Sequence, residues 1–99
     1  MADEIVSLVV IEALPGKDSE LVAVLRNFYA MMHAKGYSRD CLYRDDGHPG
    51  RFVHLRYWKS ENARSEAQAD PDVHRYWQKL PELCTLPKVH ETLEKVFET

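Results

Sequence analysis

The side chains best suited to chemistry fall in seven consecutive residues, Phe52 to Trp58, reading FVHLRYW. As a β-strand this segment alternates, so Phe52, His54, Arg56 and Trp58 share one face and Val53, Leu55 and Tyr57 the other. The second row is an ordinary core row. The first sets an imidazole and a guanidinium between two large aromatic rings, and burying either polar group is costly unless it is paired. Such a mixture suits the lining of a pocket. His54 is the right type for a base that takes a proton from a phenolic or quinol hydroxyl. Arg56 is the right type for the cation that holds the resulting anion, an attraction strengthened by low dielectric. The structural alternative is that both pair with Asp or Glu across a dimer sheet.

His74 is the third candidate catalytic residue, because it follows the Asp70-Pro71 break, where a helix start can bring its side chain over a sheet. Ser7 on the first strand, Tyr43, Trp58 and Trp77 are the candidate substrate contacts, the aromatics as platforms for a flat ring. Core or interface packing explains these aromatics equally well. His33, His48 and His90 read as surface residues. The five histidines lack HExxH spacing, and Cys41 and Cys84, the only two cysteines, form no CxxC pair. A metal site and a disulfide framework are therefore not expected.

These residues need a scaffold. Residues 4–13, EIVSLVVIEA, form an apolar run too continuous for a strand with one wet side, and so a central strand. After Leu14-Pro15-Gly16 a helix begins, with Asp18 and Glu20 complementing its dipole and Leu21, Val24, Leu25, Phe28 and Met32 forming its apolar stripe. Gly36 is its natural stop. A second strand over 37–44 and a third over 51–59 form a hairpin around the turn-rich Asp45–Gly50 segment. Ser60 then caps a helix that is interrupted at Asp70-Pro71. A further helical piece carries Val73, Trp77 and Leu80 and ends near Pro81. The tail from Lys88 fits helix or strand by periodicity. Topology favours a returning strand over 91–98, which completes the right-handed crossover.

The resulting βαββαβ order predicts a ferredoxin-like α+β fold: a four-stranded antiparallel sheet with its helices on one face. The other face is then bare, and it is not polar. Strand one is apolar on both sides, and strand three is expected to offer Phe52 and Trp58 to whichever face the helices leave open. Burying each such aromatic is worth roughly 2 kcal/mol or more, so a homodimer packed sheet to sheet is expected.

With 99 residues the chain is read as one domain spanning 1–99. Its hydrophobic share of 44% and charged share of 29% exclude the disordered class. A net charge of -3 with scattered arginines argues against nucleic acid as a partner. The N-terminal segment has acids where a secretory signal needs bases, and its apolar run stops at Glu12, too short to span a membrane. A cytoplasmic protein is expected.

Three segments, PGKDSELVAVL, RFVHLRYWKSEN and ADPDVHRYW, together resemble the antibiotic biosynthesis monooxygenase domain of the dimeric α+β barrel superfamily. The resemblance implies a dimer whose two sheets form a barrel, with a pocket in each protomer between sheet and helices. Members include cofactor-independent quinol and polyketide oxygenases, haem-degrading oxygenases and a sugar-phosphate isomerase-like branch. This chain departs from the pattern where members commonly show Glu two residues before the strand Trp, here Arg56, and His in the following helix, here Ala67. Of the Asn, Trp and His that haem-degrading relatives use, only His74 has a counterpart, which argues against haem cleavage.

The function expected is therefore a cofactor-free monooxygenase acting on a small electron-rich aromatic, a quinol or polyketide phenol. No flavin or nicotinamide is implied, since no Gly-rich phosphate loop is present. The alternatives are a non-catalytic barrel binding a small hydrophobic ligand, and an isomerase or decarboxylase using the same His and Arg on an enolisable carbonyl.

Overall fold

The computed structural model describes residues 4–99. The order is β1 (Ile5–Ala13), α1 (Asp18–Ala34), β2 (Ser38–Arg44), β3 (Arg51–Trp58), α2 (Glu61–Gln68), α3 (Pro71–Lys79), a 3-10 turn (Leu80–Glu82) and β4 (Cys84–Leu93). The strands form one antiparallel sheet in the order β2-β3-β1-β4. This is the ferredoxin-like arrangement expected from the βαββαβ order. No helix among the described residues is long and apolar enough to cross a membrane.

Local chemistry sets the helix ends. At the end of α1, Gly36 takes a φ of 76° that a side chain would resist. Its N–H donates to the His33 carbonyl and that of Tyr37 to the Met32 carbonyl, the paired bonds of a Schellman stop. The Ser60 hydroxyl accepts from the Ala63 N–H at 3.0 Å and opens α2. Asp70 caps α3 through the Asp72 N–H at 2.8 Å, with Pro71 in the first turn, where its missing donor costs nothing. Lys35 and Tyr37 both reach the Asp70 carboxylate, at 2.8 and 2.7 Å, tying the end of α1 to the start of α3.

The core lies between the helices and one face of the sheet. Leu21, Leu25, Phe28 and Met32 of α1 are buried against Val9, Ile11, Phe52 and Trp58. Phe52 and Trp58 therefore lie on the covered face, contrary to the expectation that they would stand on the open one. Strand alternation fixes which residues share a side, but the crossover connections choose the side that receives the helices. The open face presents Val53, Leu55 and Tyr57 of β3, Val6, Leu8 and Val10 of β1, and Cys41 and Tyr43 of β2.

The fourth strand differs from expectation in its limits. It starts at Cys84 rather than near 91, and it ends at Leu93, so residues 94–99 are outside the sheet. Pro87 hides this strand in the sequence because proline gives no ladder donor. It is tolerated because β4 is an edge strand, and the β1–β4 ladder shifts register twice along its length.

Candidate active site

The alternating row on β3 meets its missing charge on the neighbouring strand. Asp40 of β2 stands opposite Arg56 in the β2–β3 register, and its side chain is wholly buried. Arg56 Nε donates to Asp40 Oδ1 at 2.5 Å, and His54 Nε2 lies 3.1 Å from the same oxygen. The Ser38 hydroxyl donates to Oδ2 at 3.0 Å. One carboxylate thus gathers a guanidinium, an imidazole and a hydroxyl within a single protomer. The acidic partner that the structural alternative put across a dimer sheet is a strand neighbour instead.

Electrostatics follow from this geometry. Burial alone would push the Asp40 carboxyl upward, but bonding from His54 and the charge and bonding of Arg56 outweigh it, holding it below its ordinary value. Burial holds His54 below its ordinary value. The Asp40 bond opposes that shift only in part, and the Arg56 charge adds to it. At neutral pH Asp40 is therefore an anion, Arg56 a cation and His54 uncharged. Since an ionised carboxylate only accepts, His54 carries its proton on Nε2, which leaves Nδ1 as the basic nitrogen. No described residue donates to Nδ1.

Two further features shape the site. The Tyr29 ring of α1 stacks on His54, with centroids 4.8 Å apart and planes 28° apart, and burial keeps its phenol un-ionised. The Arg56 guanidinium carbon lies 4.9 Å from the Phe28 centroid and 5.2 Å from that of Trp58. Its Nη2 is buried and donates to no described residue. A buried donor of this kind is costly to leave unmatched, and it lies on a residue that lines a cavity.

That cavity, of about 360 Å³, opens between the sheet and helices α2 and α3. Ser7, His54, Arg56, Trp58, His74 and Trp77 line it, so the structure brings together six of the seven residues expected from the sequence. Tyr43 is the exception. It is on the open sheet face, 57% exposed, because position 43 has the opposite parity to the inward positions 40 and 42: it shares the parity of Cys41 and pairs with Val53.

The six are not equally free. The Ser7 hydroxyl accepts from the Trp58 indole N–H at 3.1 Å and donates to the Glu91 carbonyl at 2.6 Å, so its proton is committed. His74 donates from Nε2 to the Gln68 carbonyl at 2.6 Å, which commits that nitrogen. Trp77 sits edge-on to Phe28 at 5.9 Å and keeps 38% of its surface exposed, an aromatic wall half in the core.

Asp40 is the residue that sequence reasoning missed. Its signal was present, since it and Ser38 alternate with Leu42 on one side of β2, but a poorly alternating strand conceals which side faces inward. Arg64, Gln68 and His90 also line the cavity, and the Arg64 guanidinium donates to the Thr92 hydroxyl at 3.1 Å. His90, expected on the surface, is exposed at the cavity rim. Among the described residues no group of three or more His, Cys, Asp or Glu is placed to hold a metal ion.

A four-stranded antiparallel sheet with helices on one face and a pocket beneath them defines a ferredoxin-like α+β protein. The family model for antibiotic biosynthesis monooxygenase matches residues 5–79, so the chain belongs to that family. Solved structures of the same shape include SnoaB from Streptomyces nogalater, described as a cofactor-independent oxygenase. It is 22% identical, with a TM-score of 0.75 and coverage of 98% of this chain and 100% of that one. PA3566 from Pseudomonas aeruginosa is 21% identical, with a TM-score of 0.77 and 98% of each chain covered. Rv0793 from Mycobacterium tuberculosis is 19% identical, with a TM-score of 0.73 and coverage of 96% of this chain and 100% of that one. At these identities the likeness establishes the fold. No curated protein is significantly similar.

Proposed function

We propose that this protein is a cofactor-independent monooxygenase acting on a small electron-rich aromatic, a quinol or polyketide phenol. The observation that carries the reading is the unmatched, buried Arg56 Nη2 and the uncharged, Asp40-anchored His54, on two residues that line a cavity with aromatic walls. Family membership supports it, as does the description of SnoaB as an oxygenase that uses no cofactor.

In this reading the substrate ring lies between Trp58 and Trp77 with its hydroxyl toward His54. Nδ1 takes the phenolic proton, and Asp40 stabilises the imidazolium that forms. Arg56 Nη2 then donates to the phenolate oxygen, in surroundings dry enough to strengthen the attraction. The anion is a far better electron donor than the phenol and reduces oxygen directly. One oxygen atom enters the ring carbon and the other leaves as water. The four electrons come from the substrate, so a quinol becomes a hydroxyquinone with no external reductant. Oxygen consumption across a panel of quinols and polyketide phenols tests the reading. It fails if the wild type and His54→Ala are equally inert with every compound.

The protein acts in this reading as a homodimer. Support comes from the open sheet face, where Val6, Leu8, Val10, Val53, Leu55 and Tyr57 form one apolar, half-buried row that no helix covers. A second reading, a non-catalytic barrel that binds a hydrophobic ligand, draws support from Ala67. This residue is 1% exposed and puts only a methyl in the pocket wall where relatives commonly carry His. Thermal-shift screening that finds binding without oxygen uptake would favour it.

A further inference from the structure

A second cavity, of about 310 Å³, lies on the other side of the Tyr29–His54 stack, between α1 and the edge strand β2. Val22, Arg26 and Tyr29, at i, i+4 and i+7, form its helical wall, and Leu42, Arg44 and Phe52 its sheet side. Leu42 and Phe52 make an apolar floor, while Arg26 and Arg44 are exposed. Neither arginine forms an ion pair with any described residue. Arg44 has only the Phe52 ring beneath it, 5.1 Å from the guanidinium carbon to the centroid. Two cations without counter-charges thus line one concave apolar surface, in a chain whose net charge is -3.

We infer that this groove binds a small organic monoanion, a carboxylate carried on an aromatic or aliphatic body, with the body on Leu42 and Phe52 and the carboxylate between Arg26 and Arg44. Guanidinium forks match carboxylate geometry, and the volume is at the lower end for small-molecule sites. The groove is distinct from the oxygenase pocket: of the residues lining it, none lines the other cavity. The two are nonetheless in contact. Tyr29 lines this groove and stacks on His54, which lines the other, so an occupant pressing on the Tyr29 ring is felt at the imidazole.

Benzoate is a suitable probe, titrated into the full-length protein and followed by NMR of the arginine side chains and the His54 ring. Saturable shifts at Arg26 and Arg44 are expected, with the His54 signals moving at the same midpoint. Arg26→Gln and Arg44→Gln, both at exposed positions, should each weaken binding about tenfold, the loss of one charge-assisted contact. Benzyl alcohol, the neutral counterpart, should not saturate. The inference is overturned if benzoate affinity is unchanged in both variants, if His54 responds while the two arginines do not, or if inorganic phosphate, which has no apolar body, binds as tightly. Because the readout is binding, failure of the oxygenase assay leaves the outcome independent.

Discussion

Asp40 Oδ1 lies 3.1 Å from His54 Nε2, joining two residues 14 positions apart on neighbouring strands beneath the helices. This contact pairs and orients a buried imidazole that would otherwise be costly. The carboxylate fixes which nitrogen carries the proton, and it neutralises the Arg56 guanidinium beside it.

Removing that carboxylate leaves Arg56 buried without a counter-charge. Asp40→Ala is expected to cost about 3 kcal/mol or more of folding stability, the usual penalty for breaking a buried ion pair from one side. Urea denaturation measures it. Arg56→Met in the Asp40→Ala background should recover part of the loss, since the orphaned charge is then gone.

Acidification should destabilise the protein in two stages. His54 has a folded-state pKa below its ordinary 6.5, so its contribution is complete above about that value and declines as pH falls toward the folded value. Asp40, held below its ordinary 3.8, adds a second loss as pH falls beneath that value. Each group can contribute no more than about 1.4 kcal/mol per pH unit. Urea midpoints measured from pH 8 to pH 5 should therefore fall, and His54→Gln should flatten that part of the curve while leaving the more acidic loss in place.

The pH profile of oxygen uptake should carry the same signature. An imidazole that resists protonation remains a base at mildly acidic pH, so activity should decline on the acid side only below 6.5. Arg56→Lys, which keeps charge but loses the planar fork, should lower kcat rather than raise KM, because the phenolate develops only as the reaction proceeds.

The two faces of the sheet should answer separately. Trp77→Ala removes an aromatic wall of the cavity and an edge contact to Phe28, so it should raise KM and cost about 1 kcal/mol of stability. Tyr43→Ala, on the open face, should leave turnover unchanged. Leu55→Glu places a charge in the middle of that face, and sedimentation should show it converting a dimer into a monomer of 11.5 kDa.

The order of elements was legible in the sequence because each rests on local chemistry. Gly36 stops α1, Ser60 and Asp70 cap the next two helices, and the Asp45–Gly50 turn makes the β2–β3 hairpin. The grouping of His54, Arg56 and Trp58 on one face follows from strand alternation alone, whereas the α2, α3 and β4 residues of the cavity wall do not.

Tertiary structure decided what alternation leaves open. Alternation sorts side chains into two sets, whereas the crossovers determine which set meets the helices, and so Phe52 and Trp58 are core while Tyr43 is exposed. Hairpin register put Asp40 opposite Arg56, a pairing no periodicity encodes. The span of β4 depended on β1 as its partner and on its place at the sheet edge, where Pro87 costs no ladder bond. Local propensity set the pieces, and long-range pairing chose their partners, because a hydrogen-bond ladder and a buried charge are satisfied only by residues distant in the chain.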